Sequence, residues 1–308
     1  MKTIEVKNLT KLYKGILAVD GISFEVHEGE IFGLLGPNGA GKTSTLECLE
    51  GLRKPNGGSV RVANIDPWCE PHKLRNVIGV QLQSAGLPVC ITPKEAMKIF
   101  CAYHGVSPRF DLLKRMGLSE KENSQYYELS SGLQRRLSLA LAVAHNPQVL
   151  FLDEPTAGLD VATRVELHEL IRELQAVDTT IILATHDMVE AEELSDRVAI
   201  LLNGKILTLG TPMEITATSV WLTKISVSTQ NPDTFNPDVT IPGVNRHISK
   251  ENYNIYFSFD IKLTLAAIIT HIETHRDTLI DLRVERPSLE DCFLEITRPN
   301  SLLSKYIP

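Results

Sequence analysis

The stretch Gly36-Pro37-Asn38-Gly39-Ala40-Gly41-Lys42-Thr43 constrains what this chain can fold into more than any other. It fits G-x-x-x-x-G-K-[ST], in which a glycine-rich turn leaves a strand and its backbone N–H groups wrap the phosphates of a nucleotide. Its flanks agree. Glu30 to Leu35 has the pattern of a short buried strand, and Thr43 to Leu52 that of a helix whose N-terminus faces the anion. In this reading Lys42 neutralises the β- and γ-phosphates and the Thr43 hydroxyl ligates Mg²⁺. The alternative is a glycine-rich strand-to-helix turn with an incidental lysine, but the fixed positions coincide by chance in on the order of one chain per hundred of this length.

Strand and helix signals alternate around that turn. Residues 2 to 7 and 22 to 27 alternate polar and apolar, as in a partly exposed sheet, with Asp20-Gly21 and Glu28-Gly29 as turns. Between them, Tyr13 is placed either to stack on a base or simply to half-bury in a strand. Ser59 to Val62 and Val77 to Val80 read as further strands, the second running into Gln81-Leu82-Gln83. Thr92-Pro93-Lys94-Glu95 carries a helix start: an N-cap, a proline at the first helical position, and a glutamate three residues past the cap. The helical pattern then persists, which predicts a helical lobe over about 92 to 146.

Gln148 to Glu154 is an apolar run ending in two carboxylates, suited to a strand covered on both faces. Asp160 can cap a helix to about Ala176, and Thr179 to Ala184 is the next buried strand, ending at Thr185-His186-Asp187. Ligands of parallel sheets gather at the carboxyl ends of strands, and Gly36, Asp153 and His186 all follow such ends. The alternation predicts an α/β core with a mixed, mainly parallel sheet over residues 1 to 220. Residues 221 to 308 lack this spacing and read as a small α+β accessory domain, with strands at about 221 to 229, 254 to 260 and 279 to 285 and helices at about 262 to 275 and 288 to 297.

Composition narrows the setting. A net charge of −7 argues against non-specific nucleic-acid binding, which needs clustered Lys and Arg. The longest apolar run, Leu137 to Ala144, is far shorter than the roughly 20 residues of a spanning helix. Met1 to Lys7 carries charge where a signal peptide would be apolar. Five cysteines with no C-x-x-C pair argue against a disulfide framework or zinc site and fit a reducing cytoplasm.

Beside a phosphate loop, Asp153 and Glu154 supply one carboxylate for a Mg²⁺ shell and one to polarise an attacking water. The order of Gly36 to Thr43, Gln83, Leu129-Ser130-Ser131-Gly132-Leu133-Gln134-Arg135-Arg136, Asp153-Glu154, Asp160 and His186 resembles the ATP-binding subunit of an ABC transporter over residues 1 to about 220. Pro287 to Leu294 resembles the C-terminal extension of ATPases serving ABC-2 type exporters.

The resemblance implies a role for each position. Tyr13 stacks on adenine, the backbone of Asn38 to Thr43 holds the phosphates of ATP, and Ser44 adds a phosphate contact. Thr43, Asp153 and Gln83 approach Mg²⁺, with Gln81 as a rival to Gln83; Glu154 is the base, and His186 contacts the γ-phosphate. Asp160 sits at a dimer seam, or serves only as an N-cap. In the signature stretch, Ser131 and Leu133 replace a glycine and a glutamine of the family pattern Leu-Ser-Gly-Gly-Gln. Ser130 keeps its hydroxyl, Gly132 permits close backbone approach, and a helix beginning near Leu133 offers N–H groups to a nucleotide held by a second copy.

The resemblance thus implies a homodimer that closes on ATP and drives export through separate membrane permease subunits. The chain would meet the membrane only through the permease, peripherally on its cytoplasmic face. The alternative is a soluble ABC ATPase acting on nucleic acid or the ribosome. Neither the long coiled coils nor the second core of such proteins is present, and the acidic charge disfavours it.

Overall fold

The computed structural model describes residues 1–81, 86–218, 223–235, 239–250 and 252–296. Contacts divide the chain into two units, Met1–Thr211 and Pro212–Pro308.

The first unit runs β1 (Lys2–Tyr13), β2 (Ile16–His27), β3 (Ile31–Leu35), α1 (Lys42–Leu49), β4 (Gly57–Val62), α2 (Pro71–Val77) and β5 (Ile78–Gln81). The lobe follows with α3 (Pro93–Tyr103), α4 (Phe110–Arg115) and α5 (Ser131–Ala142). The core resumes with β6 (Val149–Asp153), α6 (Val161–Gln175), β7 (Thr180–Thr185), α7 (Met188–Leu194), β8 (Arg197–Leu202) and β9 (Lys205–Gly210). The six-stranded sheet has the order β5-β6-β7-β3-β8-β9; all neighbours are parallel except β8 and β9. A second sheet, β2-β1-β4, is antiparallel.

Every residue of β3, β6 and β7 is buried, because both faces of the larger sheet are covered. Side chains alternate between two cores. Phe32, Leu34, Phe151 and Ile182 join α1 and the smaller sheet, whereas Ile31, Leu150, Leu152, Ile181 and Leu183 join α5, α6 and the helical lobe. This alternation fixes the register, since a slip of one residue would exchange the two faces. It also puts the ends of β3, β7 and β6 in one row, with Leu35 opposite Thr185 and Asp153 opposite Ala184. In the lobe, Thr92 and Glu95 form the expected capping box at the start of α3.

The second unit contains α8 (Pro212–Thr218), β10 (Thr223–Thr229), β11 (Val244–Lys250), β12 (Tyr253–Ser258), α9 (Ile261–Thr274), β13 (Leu279–Glu285) and α10 (Leu289–Ile296). Its sheet is antiparallel, in the order β11-β12-β10-β13. Ile225, Val227 and Tyr256 pack with Ile268 and Ile272 of α9. Two elements differ from the sequence reading. β11 lies where a loop was expected, because Val244-Asn245-Arg246-His247-Ile248-Ser249-Lys250 is largely polar and is held as a strand by its ladder to β12. The division falls at Thr211/Pro212 rather than near residue 220, because α8 packs against α10. Residues 221, 222 and 297 of the expected elements lie outside the described residues.

Candidate nucleotide site

The site begins where β3 ends. Gly36 N donates to Thr185 O at 3.4 Å, and a Cβ at Gly36 would stand 2.3 Å from Leu201 O, so only glycine lets the chain leave the sheet here. Gly41 has φ +106°, and a Cβ there would meet Ala18 O at 2.5 Å. That left-handed residue turns the loop into α1, which starts at Lys42 with no side-chain cap on its first N–H groups. Those groups are the anion-holding donors the loop sequence implies. Asn38 and Gly39 are exposed at the turn and Ala40 is buried beneath it.

Lys42 is 5% exposed and folds back over the loop, donating from Nζ to Gly36 O at 2.7 Å and Pro37 O at 3.2 Å. Burial pulls its pKa below the ordinary lysine value, and the negative charges of Glu154 and Asp153 oppose that shift. Thr43 Oγ1 donates to Asp153 Oδ2 at 3.2 Å. Burial raises the Asp153 carboxyl above the usual carboxylate range, while the Thr43 hydroxyl works against the rise. The hydroxyl and carboxylate oxygens side by side are hard donors of the kind Mg²⁺ takes, so these residues fit the ion.

Glu154 turns away from the strand in the left-handed region, φ +49°, a conformation costing a non-glycine residue about 1–2 kcal/mol. Its N–H donates to Ala184 O at 2.8 Å, and its Oε1 lies 2.9 Å from Nδ1 of His186. The His186 side chain is 50% exposed, so its other ring nitrogen is available to a ligand. Sequence reasoning missed what holds this pair. Thr156 Oγ1 donates to the buried Glu190 Oε1 at 2.7 Å, tying the turn after Glu154 to α7. Arg164 on α6 reaches Asp187, beside His186, at 3.0 Å. No motif marks Glu190 or Arg164; their roles come from the packing of α6 on α7.

Tyr13 ends β1 beside α1. Its hydroxyl donates to Glu47 Oε2 at 3.1 Å, and Lys11 Nζ lies 5.1 Å from its ring centroid. Burial raises its pKa, with a contact to Ser44 opposing, so Tyr13 and Ser44 are neighbours within one turn of the phosphate loop.

The signature stretch lies elsewhere. None of the described hydrogen bonds or ion pairs joins Ser130, Ser131 or Gly132 to the phosphate loop. The helix starts at Ser131, two residues before the expected Leu133, because Ser130 is its N-cap and accepts from Leu133 N at 3.3 Å. The Ser130 hydroxyl keeps its proton for another acceptor. Ser130 and Ser131 are exposed, and Gly132 is buried. The glycine's close approach is to its own chain: a Cβ would stand 2.7 Å from Cγ2 of Thr163 on α6. Thr163 also donates from N and Oγ1 to Asp160, at 3.0 and 2.9 Å, which makes Asp160 the N-cap of α6. These bonds hold the Asp160 carboxyl below its usual range. Gly132→Ala therefore lowers stability by about 1–3 kcal/mol through overpacking. Thr163→Ser, which deletes the methyl it strikes, recovers most of that loss in denaturant titrations.

Gln83 lies outside the described residues. Gln81, its rival, ends β5 at 1% exposure, and among the described residues neither its amide oxygen nor its nitrogen has a hydrogen-bond partner. It lines a cavity of about 470 Å³ together with Glu50, Arg75, Phe100, Tyr103 and His145. Burial pushes the Glu50 carboxyl up to about 8, with Asp153 and Glu47 adding to the rise. The sequence signal for Glu50 was its helical spacing of four from the buried Leu46.

Fold and site together define a P-loop ATPase. An ABC transporter family profile matches residues 19–157. A Nod factor export ATP-binding protein I of Ralstonia nicotianae is 34% identical over 96% of this chain and 93% of its own length. The daunorubicin/doxorubicin resistance ATP-binding protein of Streptomyces peucetius is 36% identical over 70% of this chain and 67% of its own. Among solved structures, a dimeric ATP-binding cassette in a post-hydrolysis state, bound to ADP and Pi, aligns with TM-score 0.63 and 28% identity, covering 68% of this chain and 98% of its own. The ATP-binding subunit of an ABC transporter aligns with TM-score 0.65 and 27% identity over 70% and 93%. The chain belongs to the ABC transporter family, and its activity is ATP hydrolysis. Among described residues, no helix is long and apolar enough to cross a membrane.

Proposed function

We propose that this chain is the ATPase of an export system, working as a homodimer that binds two ATP molecules and acts on a separate ABC-2 type permease. The observation that carries this reading is the divided site. The phosphate loop, Asp153, Glu154 and His186 meet within one chain, whereas Ser130 and Ser131 are exposed at a helix start, and among the described hydrogen bonds and ion pairs none joins these two serines to the loop. In a closed pair, each nucleotide lies between one chain's loop and its partner's signature stretch.

Within the pair, the backbone of Asn38 to Thr43 and Ser44 bind the phosphates, and Lys42 releases its loop carbonyls to reach them. Thr43, Asp153 and Gln83 hold Mg²⁺, which supplies charge neutralisation at the phosphates. Glu154 takes the proton of the attacking water, and His186 orients Glu154 and faces the γ-phosphate. Asp160 lies at the seam. The cavity floored by Gln81 and Glu50 presents hydrogen-bonding groups to the permease. Relatives named for Nod factor export and for daunorubicin/doxorubicin resistance support export as the task, and the resemblance of the C-terminal extension adds a hydrophobic or amphiphilic compound as the cargo. The chain would then sit peripherally on the cytoplasmic face.

The test is to isolate the chain from its own membranes. A polytopic membrane protein recovered in fixed ratio, which stimulates ATP turnover when the two are reconstituted, is the expected result; recovery with ribosomes or DNA favours the soluble alternative. For the base platform, Tyr13→Ala weakens ATP binding by about 1–3 kcal/mol, the range of lost base stacking. Calorimetry that gives an unchanged Kd returns Tyr13 to a purely structural role.

A further inference from the structure

Among the described residues, β13 is an outer strand of the C-terminal sheet, paired on one side to β10. Ile280 is 65% exposed, Val284 46% and Leu279 41%. An outer strand of this length leaves N–H and C=O groups free to join another chain, and its apolar side chains make the pairing favourable.

The side-chain order selects the partner. When Leu279-Ile280-Asp281-Leu282-Arg283-Val284-Glu285 is laid antiparallel on a copy of itself about Leu282, each Asp281 faces the other strand's Arg283. Asp281 and Arg283 share one face of the sheet, opposite Ser228 and Ser226, while Leu282 and Val284 lie opposite Val227 and Ile225 on the face carrying the apolar core. The irregularity in the ladder to β10 falls at Ile280, outside the Asp281–Arg283 stretch. Within one chain Asp281 already accepts from Arg283 Nε at 2.8 Å and Tyr253 Oη at 2.7 Å. A carboxylate has lone pairs for a further donor, and a guanidinium has further N–H groups.

Neighbouring registers fail: centring on Arg283 sets the two arginines together and Asp281 against Glu285. The opposite edge, β11, carries Arg246 and Lys250 and no acid, so self-pairing there gathers like charges. We infer that β13 is a self-pairing edge through which two copies of this chain join their four-stranded sheets into one continuous sheet about a two-fold axis. The contact needs no nucleotide and is separate from the ATP-dependent pairing proposed above.

A charge exchange tests it on the full chain without nucleotide, read by sedimentation equilibrium. Asp281→Arg alone places cations against cations across the junction, and Arg283→Asp alone places acids against acids. Each variant alone dimerises about tenfold more weakly than wild type, as two attractive pairs become repulsive. In an equimolar mixture every charge faces its opposite, and the wild-type Kd returns. The intrachain Asp281–Arg283 pair is broken in both variants, so recovery on mixing reports only the contact between chains. A wild-type chain that stays monomeric without nucleotide, or a mixture that pairs no better than either variant, overturns the inference. Ser130→Arg leaves this contact intact, so its failure and that of the ATP sandwich are read separately.

Discussion

Glu154→Gln lowers ATP turnover by about 10²- to 10⁴-fold while leaving ATP affinity close to wild type, the range expected when a general base is lost. The substitution keeps the shape of the side chain and an oxygen for the His186 Nδ1 contact at 2.9 Å. It removes only the carboxylate that accepts a proton. The backbone cost of φ +49° at this position is the same for either residue, so folding stability changes little. Steady-state kinetics with a coupled phosphate assay should show a loss in kcat with KM near the wild-type value. Near-normal hydrolysis would reassign the base, with Asp153 the next candidate. The variant should also accumulate as an ATP-bound dimer, because the step that reopens the pair is blocked.

Ser130→Arg abolishes that ATP-dependent dimer. A long cation at the start of α5 occupies the space a partner's nucleotide needs, and the oxygen that accepts Leu133 N is lost. Loss of the cap alone costs about 1 kcal/mol of helix stability, so a control must separate the two effects. Ser130→Asp caps α5 as well as serine does but sets a carboxylate against the incoming phosphates. If the ATP sandwich is right, both substitutions in the Glu154→Gln background remove the ATP-dependent increase in association in size-exclusion chromatography, leaving the elution with ATP the same as without it. If the contact were only a cap, the aspartate variant would still show that increase.

Much of the candidate site was legible in the sequence. Chemistry confined to one turn and its flanking strand leaves a local signature: glycines where φ is positive or a Cβ would collide, a lysine and threonine at fixed offsets, an apolar run ending in acids. The strand ends at Gly36, Asp153 and His186 follow from burial, because a strand covered on both faces must be apolar until it emerges. The C-terminal unit was less legible. β11 is a polar outer strand, and nothing local distinguishes it from a loop; α8 falls in the second unit, where it packs on α10.

What the amino-acid order determined by itself was the class of chemistry, since spacing along a few residues is enough to build a glycine-rich turn at a strand end with a lysine, a threonine and a neighbouring carboxylate. Only the tertiary structure decided the details that depend on residues far apart in the chain. It gave Gly132 a reason in Thr163, tied Glu154 to α7 through Thr156 and Glu190, and set Gln81 and Glu50 in one cavity. The physical reason is that hydrogen bonds and close contacts act over a few ångströms of space whatever their separation in sequence. The Gly36 to Thr43 loop could be read from one stretch, whereas the exposure of Ser130 at the start of α5, on which the proposed shared site rests, is a property of the folded chain.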